Sequence, residues 1–211
     1  DKLLDAVSHA MGLFLSLAYF DNVKIMGPSA VGPPGCLVCF ELEAFIASAP
    51  GVASLNGGRA FVRDAVARAV SSLFGAWRAN VTIPGLLLYP AFSAVPMDEA
   101  PPTPNVPFPL ISMISSKLGI ILKDTLRNRI ITEAIPHGGS DRFKAFAGNL
   151  SVALSGGFNV WMASCMPQPI FGCGPVPTSP GPVVDGSVIA APGAFAVGPE
   201  PHFFGPPLSL P

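Results

Sequence analysis

Twenty of the 25 prolines in this 211-residue chain fall in two stretches, Ile83–Leu110 and Pro167–Pro211. Proline lacks a backbone donor and fixes φ, so we expect neither stretch to form a helix or a central strand. Extended, polyproline-like backbone is the prediction for both. The chain then divides into an N-terminal helical part (1–82), a Pro-rich arm (83–110), a second helical pair (111–166) and a Pro/Gly-rich C-terminal arm (167–211), as one domain plus arms.

Outside the arms, apolar residues recur at helical spacing in four segments. The first is apolar on almost every side, which is typical of a helix buried on more than one face. Ser140 and Asp141 are a helix-capping pair ahead of the fourth. The sequence predicts a mainly α fold, a helical bundle of about four helices with long extended Pro/Gly-rich arms. The segments are Leu3–Phe20, Arg59–Ala79, Ile111–Ala134 and one ending near Ala163, and Leu42–Ser48 fits a shorter helix.

The third segment carries most of the chain's charge, so we expect its outer face to meet water. Its apolar spacing predicts an inward face made of Ile111, Ile114, Leu118, Ile121, Leu122 and Leu126. Basic residues cluster on and after it, and acidic residues interrupt them. We interpret this cluster as a solvated helix face, because a net charge of −1 argues against nucleic acid as the main partner.

Charged residues are scarce, at 12% of the chain. A monomer of this mass exposes roughly 9,000 Å² of surface. Soluble surfaces normally carry roughly 25–35% charged residues. Some of this surface is therefore predicted to face protein or lipid instead of water.

Protein contacts are favoured over lipid, because no apolar run has the character of a spanning helix. The longest charge-free run, Ala145–Val184, is interrupted by many glycines and prolines, and Ala79–Met97 is cut by three prolines. Backbone broken in this way cannot satisfy its own hydrogen bonds in hydrocarbon. A membrane-associated chain stays an alternative.

The sequence offers little catalytic equipment. Three histidines are present, and motifs for a nucleophile elbow, a zinc protease or a phosphate loop do not occur. Asp5 and His9 lie four residues apart, a spacing that we interpret as a polar seam between helices. The run 137–141, His-Gly-Gly-Ser-Asp, is interpreted as a helix break followed by a cap. We predict no catalytic residue, no cofactor and no metal site.

The four cysteines do not have the spacing of a zinc ribbon. Cys36 and Cys39 form one close pair, whereas Cys165 and Cys173 lie further apart. A redox pair would follow a strand and begin a helix, and the residues before Cys36 are Gly-Pro-Pro-Gly. We interpret all four as structural thiols, free or bridged.

The chain contains an internal echo. Ser71, Phe74 and Trp77 align in register with Ser155, Phe158 and Trp161, and each set precedes a Pro-rich arm. A common ancestor and a shared packing solution both account for it, and two copies are too few for a repeat protein.

Both helix-to-arm junctions carry a resemblance. In Trp77–Gly85, Trp-Arg-Ala is followed by Val-Thr-Ile-Pro-Gly, and in Trp161–Pro177, Trp-Met-Ala leads to Gly-Cys-Gly-Pro-Val-Pro. These junctions resemble those of small helical virion structural proteins of large tailed bacteriophages. The resemblance implies a subunit of a head, neck, tail or baseplate, found in the virion after assembly in the host cytoplasm. It carries over no catalytic or binding residue.

The leading hypothesis is a non-enzymatic structural subunit that binds copies of itself and other subunits of the particle. Apolar helix faces and extended arms would make the contacts. The alternatives are a membrane-associated hydrophobic subunit of a bacterial complex and a small hydrolase using Asp5 with His9 or the 137–141 loop. Trp77 and Trp161 fit either the core or an interface. The interface candidates are Trp77, Leu87, Tyr89, Phe92, Phe108, Trp161, Phe171, Phe195, Phe203 and Phe204.

Overall fold

The computed structural model describes residues 2–26, 29–87, 100–104, 109–135, 139–165, 171–174 and 186–189. This part of the chain is mainly helical with small sheets, so the predicted helical class is confirmed. The helices are α1 (Lys2–Leu17), α2 (Glu43–Ser48), α3 (Gly57–Arg78), α4 (Lys123–Glu133) and α5 (Asp141–Ser164). The strands are β1 (Tyr19–Phe20), β2 (Lys24–Met26), β3 (Ser29–Gly32), β4 (Leu37–Val38), β5 (Val81–Leu87), β6 (Ala100–Pro104), β7 (Ile114–Ser115), β8 (Phe171–Gly174) and β9 (Gly186–Ile189).

Helices α1, α2, α3 and α5 lie where the sequence predicts them, and local chemistry sets their ends. Ser140 is the N-cap of α5, because its Oγ accepts the Phe143 backbone N–H at 3.2 Å. Helix α3 begins after Asn56 at Gly57, whose φ of +55° favours glycine. Helix α1 ends at Leu17, earlier than predicted, and the chain continues directly into β1.

The predicted third helix is wrong in its first half, because α4 begins only at Lys123. Residues 110–122 form two short 3-10 turns, Leu110–Ser112 and Leu118–Ile121, with β7 between them. Serine and glycine in this stretch have weak helix propensity, and serine side chains compete for backbone hydrogen bonds. Of the side chains predicted to face inward, two are buried (Ile121 and Leu126) and four are exposed (Ile111, Ile114, Leu118 and Leu122).

Seven of the described strands pair in the order β6-β8-β9-β2-β3-β5-β7, and every neighbouring pair is antiparallel. The other two, β1 and β4, pair with each other. Strands β5, β6, β8 and β9 lie wholly or partly in the predicted arms. The prediction that proline keeps these arms out of a sheet is therefore wrong at these four places.

Beta-bulges explain how the prolines are accommodated. On β5, the pairs Gly32↔Ile83 and Ala30↔Leu86 leave one extra residue in the stretch that contains Pro84. On β6, the pairs Ala100↔Gly174 and Thr103↔Gly172 likewise bracket an irregularity at two prolines, residues 101 and 102. A bulge leaves a residue outside the regular ladder, so proline's missing donor costs little there.

Aromatic side chains from three helices meet in the core. Phe14 of α1 contacts Phe74 of α3 and Trp161 of α5, with ring centroids 4.9 and 6.0 Å apart. Phe74 stacks on Phe158 at 5.9 Å, and Trp77 meets Trp161 edge-on at 6.2 Å. All five rings are buried. Each such pair contributes about 0.5–1.5 kcal/mol beyond area burial, so this cluster joins α1, α3 and α5.

Candidate interaction surface

Four large apolar side chains stand exposed within one short stretch, residues 111–122. Ile111 is 49% exposed, Ile114 58%, Leu118 45% and Leu122 54%. Isolated exposed leucines and isoleucines are ordinary, but a concentration of them marks a surface that another molecule covers. We call this stretch the 111–122 surface.

Buried residues alternate with the exposed ones and fix the backbone of this surface. Leu110 (1% exposed), Met113 (6%) and Ile121 (5%) insert into the core. The Leu110 backbone N–H also donates to the Cys165 carbonyl at the end of α5, at 2.8 Å. The exposed side chains are therefore presented by anchored backbone.

Hydrogen bonds tie the middle of the 111–122 surface to the end of α3 and the start of β5. Thr82 Oγ1 donates to the Ile114 carbonyl at 2.8 Å, and Ser115 Oγ donates to the Trp77 carbonyl at 3.0 Å. Ser116 Oγ lies 3.2 Å from Asn80 Oδ1 and donates to it. These contacts explain why the segment does not continue α4 toward its N-terminus.

Positive charge borders this apolar surface. Lys117 and Lys123 are exposed, and neither forms an ion pair with any other residue that the structure describes. Further along α4, Glu133 bonds both Arg68 of α3 (3.0 Å) and Arg129 (2.9 Å), which fixes α4 against α3. The surface thus combines apolar contact area with two lysines available to a partner.

A second polar cluster, around Arg78, is structural in character. The Arg78 guanidinium donates to the Cys39 and Phe40 carbonyls and to Glu41 Oε1, the last at 2.8 Å. Ser71 Oγ donates to the other carboxylate oxygen of Glu41 at 3.2 Å. These bonds hold the loop after β4 against α3.

The described cysteines have the character of structural thiols. Burial raises the pKa of Cys36 to about 11 and that of Cys165 to about 12, and it also raises the pKa of Cys39. Cys36 Sγ donates to the Val81 carbonyl at 3.5 Å. Thiols of this kind stay protonated at neutral pH, so they are poor nucleophiles and poor metal ligands.

The hydrolase hypothesis gains no geometry from the residues that the structure describes. Asp5 and His9 are exposed on α1, and no hydrogen bond or ion pair between them occurs there. His137 lies outside the described residues. Within the described ranges, no group of three His, Cys, Asp or Glu side chains could hold a metal ion.

The predicted interface candidates divide into three groups. Trp77 and Trp161 lie in the core, the first of the two roles that the sequence allows them. Leu87 is the last residue of β5 and Phe171 the first of β8. The other six, Tyr89, Phe92, Phe108, Phe195, Phe203 and Phe204, lie outside the described residues.

The 111–122 surface is the feature that sequence reasoning missed. Its apolar residues recur at helical spacing, so they were assigned to the inward face of a helix. A warning signal was present in Ser115-Ser116 and Gly119, which weaken a helix at the centre of that segment.

No helix in the described part of the chain is long and apolar enough to cross a membrane. Comparison with protein-family models, with curated proteins and with solved structures finds no match to this chain.

Proposed function

We propose that this chain is a structural subunit of a virion or a phage-tail-like particle, and that it binds neighbouring subunits through the 111–122 surface and its Pro-rich arms. The observation that carries the proposal is the exposure of Ile111, Ile114, Leu118 and Leu122 on anchored backbone. A chain with 12% charged residues has few ionic groups to keep such a surface in water.

The magnitude of this surface explains why the arms belong to the proposal. Covering four half-exposed Ile and Leu side chains contributes on the order of 1 kcal/mol each. Association costs roughly 4–15 kcal/mol in lost rotational and translational freedom. The 111–122 surface alone is therefore too small for a stable contact, and further area has to come from elsewhere.

The arms are the proposed source of that area. A compact helical bundle would form the body, and Pro-rich segments of 83–110 and 167–211 would lie across neighbours. Aromatic and leucine anchors such as Tyr89, Phe92 and Phe203 would then fill grooves on the next subunit. Closed symmetry would let every copy cover the apolar surface of another.

The experiment compares the assembly state of the wild-type chain with that of a variant carrying Ile111→Ser, Ile114→Ser, Leu118→Ser and Leu122→Ser. We expect the wild type to sediment as an oligomer and the variant to shift toward monomer with unchanged helical circular dichroism. The matched control carries Val152→Ser and Val160→Ser, which alter exposed valines on α5 (55% and 69% exposed) and should leave assembly intact.

Two outcomes would count against the proposal. If the surface variant assembles as well as the control, the 111–122 surface is not a subunit contact. If the wild-type chain instead floats with lipid vesicles at high salt, the membrane-associated alternative replaces the particle subunit.

A further inference from the structure

Helices α3 and α5 are related by a constant offset of 84 residues. Their N-caps are Asn56 and Ser140, and their first residues are Gly57 and Asp141. Two unrelated amphipathic helices share a period of 3.6 residues, but they have no reason to share a starting point.

The same offset aligns their buried faces. Adding 84 to each of the nine buried positions of α3 gives a buried position of α5 in eight cases. Val66 with Leu150 and Val70 with Leu154 are two such pairs, and Ala65 with Asn149 is the exception. The two helices therefore present equivalent faces, and not merely faces of similar character.

These equivalent faces point at each other. Phe74 meets Phe158 with ring centroids 5.9 Å apart, and Trp77 meets Trp161 at 6.2 Å. Like therefore contacts like at two positions along both helices. This is the contact pattern of an isologous interface, in which a two-fold axis brings the same patch of two subunits together.

The offset continues beyond the helices. Val81 and Cys165 are both fully buried, and each carbonyl accepts a backbone N–H from a segment that follows a proline. The Val81 carbonyl accepts from Gly35 at 3.2 Å, and the Cys165 carbonyl accepts from Leu110 at 2.8 Å. After each position the chain enters a strand of the same sheet, β5 or β8.

We infer that the chain contains two copies of one helix–strand unit, and that the aromatic face of each unit is a docking surface whose partner is the other copy. The N-caps, the buried faces, the ring pairs and the carbonyls after the helices all satisfy one offset, which a chance packing solution does not require. The chain thus carries its own dimer partner, and additional subunits have to bind at other surfaces. This inference does not depend on the proposed particle role.

Four conservative substitutions test it in the full-length chain. Val66→Leu and Val70→Leu each add a methylene to α3, and Leu150→Val and Leu154→Val each remove one from α5. Each single change should lower the Tm by roughly 2–8 °C, since it overfills or empties a packed site.

The pairing rule decides how these changes combine. The matched doubles, Val66→Leu with Leu150→Val and Val70→Leu with Leu154→Val, should recover more than half of the summed loss in Tm. The mismatched doubles, which exchange the partners, should show nearly additive losses and serve as controls. Equal coupling in matched and mismatched doubles, or additive losses in all four, would overturn the inference.

Discussion

The Arg78 guanidinium lies 2.8 Å from Glu41 Oε1 while its other nitrogen donates to the Cys39 and Phe40 carbonyls. The two side chains differ in environment, because that of Arg78 is 14% exposed and that of Glu41 is 64% exposed. The energetic weight of the contact should therefore rest on the backbone carbonyls that Arg78 satisfies, and not on the ion pair.

Replacing Arg78 by Ala should lower the free energy of unfolding by about 2–3 kcal/mol, since it removes charge-assisted bonds to backbone carbonyls. Glu41→Gln should cost less than about 1 kcal/mol, because the exposed ion pair is screened by solvent. Urea denaturation of the two variants measures the difference. Equal losses would show that the ion pair dominates.

Ser115→Ala and Thr82→Val should loosen the 111–122 surface without altering its exposed side chains. Each removes one hydrogen bond to the backbone and should cost about 0.5–1.5 kcal/mol. Amide hydrogen exchange should accelerate at residues 113–117 and stay unchanged in α1. Ser112→Ala, at an exposed serine of the same segment, is the control.

Two glycines should respond to alanine with opposite signs. A Cβ at Gly156, inside α5, meets nothing within 4 Å, so Gly156→Ala should stabilise by about 0.5–1 kcal/mol through helix propensity. A Cβ at Gly32 would lie 2.8 Å from Cys36 Sγ and 3.3 Å from Ile83 Cβ, so Gly32→Ala should destabilise by about 1–3 kcal/mol. Thermal unfolding measures both. Adding Cys36→Ala should restore part of the loss at Gly32, and no rescue would contradict the steric explanation.

The buried thiols predict how stability changes at alkaline pH. Burial raises the pKa of Cys36 from 9.0 to about 11 and that of Cys165 from 9.0 to about 12. Above pH 9 the unfolded chain loses these protons while the folded chain keeps them, so unfolding becomes easier as pH rises. Their contribution is complete below pH 9 and is lost as pH rises through 11 to 12.

Denaturation midpoints between pH 8 and pH 11 check this thiol effect. The wild type should lose stability above pH 9 more steeply than Cys36→Ala combined with Cys165→Ala. Native protein should also react slowly with a thiol reagent at pH 8 compared with unfolded protein. Identical pH profiles for the two chains would contradict the prediction.

Local signals in the sequence were enough to place most of the helices. Ser140 caps α5 as predicted, and the turn before Gly57 starts α3. The register of Phe74 and Trp77 with Phe158 and Trp161 was also visible. That these rings contact one another was not, because helical periodicity defines a face but not its partner.

The errors arise where long-range contacts override local pattern. Residues 111–122 have helical apolar spacing, but bonds to Trp77 and Thr82, distant in sequence, fix another backbone. Pro84 argued against a strand, yet the register shift opposite Ala30 and Gly32 gives it a bulge. Neither partner can be identified from the segment itself.

Sedimentation velocity of the purified full-length chain across a wide concentration range tests the central claim most directly. That claim is that neighbouring subunits cover apolar surface which this chain lacks the charge to keep in water. We expect species larger than the 21.8 kDa monomer, with a fraction that grows with concentration. A single monomeric species that stays in solution at high concentration would contradict it.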